Sequence, residues 1–133
     1  MRHAIGALTL ALALFVGIAA AEPLPSRENR QGPVTVSVTV LSAAAGEPLR
    51  VKVVLDTHSV NLDRVVFEEA VGLRITEGRD LAAASVEQVT GSGHHREAVL
   101  VFPAVADSGP VRIVVRNVGG ERERLFEWER SAR

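Results

Sequence analysis

The chain has no cysteine and no tyrosine, one tryptophan, four phenylalanines, a methionine only at its start, and a single lysine, Lys52, among 15 basic residues. Without cysteine there is no disulfide, no thiolate metal ligand, no cysteine nucleophile and no cysteine to lipidate. With methionine confined to the initiator, there is no thioether ligand for soft Cu(I). Internal repeats, low-complexity tracts and long amphipathic helical patterns are also missing. What holds the fold is therefore the packing of aliphatic side chains, and the pattern of valine shows how.

Residues 1–21, MRHAIGALTLALALFVGIAAA, combine a basic start at Arg2, an apolar run from Ala4 to Ile18 and small residues at Ala19 and Ala21. That is the pattern of a secretory signal peptide cleaved before Glu22. The apolar run is short for a bilayer core, which takes about 20 residues, so no membrane insertion is expected after cleavage. Removal leaves 112 residues with 14 basic and 16 acidic side chains, a net charge of −2. That length suits one domain, and that charge offers nothing to nucleic acid or an anionic membrane. The expected location is periplasmic or secreted.

Residues 22–33, EPLPSRENRQGP, hold three prolines among polar residues and read as a flexible leader. The domain is expected over 34–130. It opens with PVTVSVTVL, in which Val34, Val36, Val38 and Val40 alternate with Thr35, Ser37 and Thr39, a half-buried strand. PLRVKVVLD repeats the alternation, with Leu49, Val51, Val53 and Leu55 inward. Val65 to Ile75 reads as one bulged strand broken at Gly72, although Phe67 to Ala70 could form a helical turn. LAAASVEQV reads as a weaker strand and EAVLVFPAV as one buried on both faces.

Near the C-terminus, VRIVVRNVGGERERLFEWE centres on Gly119-Gly120, which suits a two-residue hairpin turn. The register that follows sets Val118 against Glu121, Arg116 against Glu123, Val114 against Leu125, Ile113 against Phe126, Arg112 against Glu127 and Val111 against Trp128. A slip of one residue would break both charge pairs and swap the faces. Phe126 and Trp128 read as core, whereas Glu68-Glu69 and the Glu/Arg alternation at 121–124 read as solvated faces. About seven short strands then predict an immunoglobulin-like antiparallel β-sandwich.

Outside the N-terminus the histidines are His58, His94 and His95. Counting strand directions puts both histidine segments at one rim if Val65–Ile75 is a single strand. A reversal at Gly72 would instead separate them by a strand length, about 17 to 20 Å. At a shared rim His58, His94, His95 and Asp56 form a candidate site for Cu(II) or Zn(II), since imidazole with carboxylate suits both ions. The competing reading makes His94 and His95 part of a polar turn. DTHSVNLD would then be an Asx-type corner in which Asp56, Ser59, Asn61 and Asp63 satisfy backbone amides. Ser59 or Ser92 with a histidine and Asp56 or Asp63 could imitate a hydrolytic triad, but no nucleophile elbow or oxyanion loop accompanies them, so no enzyme is expected.

The segments LDTHSVNLD, GHHREAVLVFP and FEW resemble a group of uncharacterised exported bacterial proteins with a Thr-His-Ser corner, a Gly-His-His turn and a terminal Phe-Glu-Trp strand. Thr57, His58, Ser59, His94, His95 and Trp128 match, whereas Gln88-Val89 stands where the resemblance implies a tryptophan. The resemblance implies the fold and the choice of residues but no established activity. Two functions stay open: an exported module coordinating Cu(II) or Zn(II), or a structural or interaction domain that docks a protein partner in the cell envelope by a rim loop or an edge strand.

Overall fold

The computed structural model describes residues 23–105 and 109–130, and the expected signal peptide lies outside them. The architecture is all-β, with two antiparallel sheets packed in the manner of a sandwich. Its elements are β1 (Arg27–Asn29), β2 (Val34–Ser42), β3 (Leu49–Thr57), α1 (Phe67–Ala70), β4 (Val71–Thr76), β5 (Arg79–Ala82), β6 (Ser85–Ser92), β7 (His95–Phe102), β8 (Val111–Val118) and β9 (Glu121–Trp128). The first sheet runs β1-β2-β3-β7-β6 and the second β5-β4-β8-β9.

The alternation in β2 and β3 is realised face by face. Val34, Val36, Val38 and Val40 are 0% exposed, and the inward residues of β3 are almost as deeply buried. Each such side chain contributes about 1.5 to 3 kcal/mol, whereas an exposed ion pair gives about 0.2 to 1 kcal/mol. Packing therefore outweighs the exposed ion pairs in holding the fold.

The strand count differs from the expected seven, for local reasons. Val65–Ile75 is not one bulged strand: Phe67–Ala70 forms a helical turn that buries Phe67 and Ala70, and β4 begins at Val71. The run from Arg79 to Ser92 is divided between the two sheets at Ala83-Ala84, where the Ala84 amide donates to Val101 O. Small side chains let the backbone cross at this corner. The run still heads toward the same rim throughout, so the direction count survives the division.

Gly72 marks no reversal either. It lies in β4 opposite Val114, and a side chain there would meet the Arg116 guanidinium at 3.1 Å. The space lets Arg116 reach Asp80, which also binds Arg74 at 2.9 Å, while Arg74 binds Glu123 at 2.8 Å. Arg116, Asp80, Arg74 and Glu123 thus link all four strands of the second sheet. The β8–β9 register is the expected one from Val111↔Trp128 to Val118↔Glu121, with Gly119 at φ 62° and Gly120 at φ 80° in the turn. Arg112 does bind Glu127 at 2.7 Å, but Arg116 leaves its cross-strand Glu123 to Arg74.

Two further corrections concern Arg124 and the leader. Arg124 is not part of a solvated face: it is 1% exposed and points between the sheets. Its Nη1 donates to Asn29 Oδ1 and Val34 O, both at 2.9 Å, and its Nη2 donates to Val118 O at 3.0 Å. Nor is the leader free along its length. Asn29 closes β1 against β2, the Leu24 amide donates to Val40 O, and Trp128 Nε1 donates to Pro25 O at 2.6 Å beneath the Arg27 guanidinium. The prolines that forbid a central strand suit this edge strap.

Burial draws Arg124 below the ordinary guanidinium pKa, yet arginine stays charged in proteins. A buried charge needs polar contacts, which carbonyl oxygens supply at Nη1 and Nη2 while Nε has no partner among the described residues. Lysine lacks the fork that reaches three segments at once. In urea denaturation Arg124→Lys is therefore expected to lose about 2 to 4 kcal/mol, whereas the exposed Arg122→Lys should change stability by less than about 0.5 kcal/mol.

Candidate functional site

The rim at the end of β3 is built around Thr57, one of two buried polar residues among those described. Its hydroxyl donates to Pro33 O at 2.7 Å and accepts the amides of Ser59 at 3.2 Å and Val60 at 3.3 Å. Asn61 Oδ1 accepts the Asp63 amide at 2.9 Å, and Asp63 Oδ1 accepts the Gly93 amide at 2.7 Å. The expected corner exists, therefore, with Thr57 in the role assigned to Asp56 and Ser59.

This loop is fastened to the β6–β7 turn. The Thr57 amide donates to His94 O at 3.0 Å and the Leu62 amide to Gly93 O at 2.8 Å. From β7, Arg96 Nη1 donates to Leu62 O at 3.0 Å and Val65 O at 2.7 Å, with its guanidinium over the Phe67 ring at 5.1 Å. Gly91 makes the turn close: its φ is 84°, and a β-carbon would fall 2.1 Å from His95 O. Both histidine segments consequently occupy one rim.

Within the rim the candidates separate. Asp56 sits directly across from His95 in the β3–β7 register, and Asp56 Oδ1 meets His95 Nδ1 at 2.5 Å. His95 Nε2 lies 3.3 Å from Glu97 Oε2, and Glu97 Oε1 lies 3.4 Å from Lys52 Nζ. His58 is exposed and lines a shallow depression with Pro33, Thr35, Asp56 and Thr57. His94, also exposed, contributes its carbonyl to the Thr57 amide. Asp56 is thus shared between the His95 bond and the depression that His58 lines. Among the described residues, no group of three or more histidine or acidic side chains is arranged to hold a metal ion.

Glu97, Lys52 and Arg96 are additions to the sequence reading. Glu97 was legible in principle, since residues two apart on a strand share a face. Arg96 carried no signal, because its partners are carbonyls of a loop whose path the sequence does not specify.

An imidazolium donates to both Asp56 and Glu97, whereas a neutral ring has one N–H and must set a lone pair against a carboxylate. The Asp56 bond, its charge and then Glu97 raise the His95 pKa above the ordinary value of 6.5. A raised folded-state pKa gives stabilisation that is full below about 6.5 and lost as pH climbs through the higher folded value. NMR titration is expected to place His95 above the ordinary histidine range, and Asp56→Asn should bring it down. Thermal midpoints should fall across the same interval in the parent protein and become less pH-dependent there in Asp56→Asn.

Comparison with protein-family models, curated proteins and solved structures finds no match for this chain.

Proposed function

We propose that the protein is an exported binding module of immunoglobulin-like sandwich type, acting in the periplasm or outside the cell. It docks a protein partner on the rim formed by the 57–66 loop and the 91–95 turn. The observation that carries this reading is the bonding of two loops into one preorganised surface. Thr57, Leu62, Asp63 and Arg96 fix the backbone, while His58, Asn61 and His94 remain exposed upon it. A surface that is already ordered loses little conformational entropy on binding. Loops on a rigid sandwich are where recognition residues commonly stand. The Thr-His-Ser, Gly-His-His and Phe-Glu-Trp resemblance to exported proteins agrees with this location.

A second reading has its own support in Asp56, which is bonded to His95 and lines the depression shared with His58. A Cu(II) or Zn(II) ion would take the imidazoles of His58 and His95 with the Asp56 carboxylate at bond lengths of about 2.0 to 2.2 Å. Binding would release the Asp56–His95 proton, so affinity would rise with pH.

One set of variants separates the readings. Photo-crosslinking side chains at position 58 or 94, introduced in the exporting cell, should yield adducts with another protein, while the same group at Ala45, in the turn at the opposite end, should not. Equal labelling from Ala45, or none from the rim, would remove the interaction reading. Calorimetric titration of the untagged protein with Cu(II) or Zn(II) should give stoichiometric heat only under the metal reading, and His95→Ala should abolish it.

A further inference from the structure

The two sheets have four edge strands, β1, β6, β5 and β9, and they are not alike. β1 has three residues and β5 four, too short to template a long pairing. β6 is longer, but its register shifts between Glu87 and Thr90, where Gln88 takes φ 50°. Short edges and bulges are how proteins blunt unwanted strand addition. β9 has neither protection. It runs eight residues with no register shift against β8. Every second residue of an antiparallel edge strand turns its N–H and C=O away from its neighbour. Among the described residues, no backbone bond reaches β9 from outside its own sheet.

We propose that the β9 edge is a strand-addition site for an extended segment of another protein, with basic residues flanking an apolar one at alternate positions. The side chains on the solvent face supply the code. Glu121, Glu123, Leu125 and Glu127 follow one another with a period of two, and Leu125 is 49% exposed between two glutamates. Glu123 and Glu127 keep 40% and 43% of their side-chain surface open while bound to Arg74 and Arg112. A strand carrying Arg-Xaa-Val-Xaa-Arg would oppose Glu123, Leu125 and Glu127 in one register, each charge against its complement. Backbone bonds supply affinity and the alternate side chains supply selection.

The same pattern excludes a second copy of this chain. Antiparallel self-pairing that preserves the two faces must join odd positions to odd positions. With Leu125 against Leu125, Glu123 meets Glu127, and neighbouring registers set other glutamates opposite one another. Like charges directly opposed destabilise the pair.

This proposal goes beyond the rim reading and does not depend on it. The probe is the synthetic peptide Thr-Arg-Thr-Val-Thr-Arg-Thr, added to the protein while its amide resonances and hydrogen exchange are followed. The expected result is saturable shifts along β9, slowed exchange of its outward amides, and at least tenfold weaker binding for the Glu-substituted peptide and for Leu125→Lys. Position 125 is exposed, so that variant should remain folded, which its spectrum verifies. The proposal is overturned by shifts located at His58 or His94 instead, by binding that Leu125→Lys leaves unchanged, by no binding, or by protein dimerisation through β9. None of these outcomes alters the crosslinking result expected at the rim.

Discussion

The constraint on which the rest depends is a buried cation with only neutral oxygens directly bonded to it. Arg124 lies between the sheets and bonds β1 through Asn29, the start of β2 through Val34 O and the end of β8 through Val118 O. No carboxylate forms an ion pair with it among the described residues, so its desolvation is offset by directed carbonyl contacts. Those contacts have a structural corollary. They set the spacing between the two sheets where the β8–β9 turn passes the beginning of β2, and they hold the strap that closes this side of the domain.

Around that clamp the two outer faces differ in kind. The second sheet carries Arg116, Asp80, Arg74 and Glu123 in an alternating chain across all its strands. The first sheet instead holds an Arg50–Glu87 pair and a chain, Asp56–His95–Glu97–Lys52, confined to β3 and β7. In the alternating chain Asp80 serves both Arg74 and Arg116, and the Arg74 bond draws Glu123 below the ordinary carboxylate range. On the first sheet His95, raised above the ordinary histidine value, is a partner whose charge is lost in mild base. Mild base therefore acts on the first face, whereas acid reaches paired carboxylates on both.

Much of this was legible because strands advertise their faces every second residue. The alternation of Val34 to Val40 and of Leu49 to Leu55 was enough to show which faces of β2 and β3 turn inward, and Gly119-Gly120 fixed the β8–β9 register residue by residue. The same periodicity pointed inward at Arg124, two before Phe126 and four before Trp128. Charge argued the other way, and hydropathy alone does not show a guanidinium surrounded by carbonyls. The division at Ala83-Ala84 was hidden because both halves keep one direction. At the rim, the sequence left His58, His94 and His95 either together or a strand length apart, and named Asp56 without saying which ring it meets. Which ring meets which carboxylate follows from β3–β7 pairing, a long-range register that no local motif states.

The strap and the final strand meet at the end of the sandwich remote from the histidines, where Pro25 accepts the Trp128 indole N–H and Leu24 bonds to Val40. The described chain therefore enters and leaves side by side. A pulling force applied between these two ends would unzip β1 from β2 one bond at a time, beginning at Arg27, instead of shearing long strands in parallel. The domain would yield first at its strap. Such a load would reach the rim last.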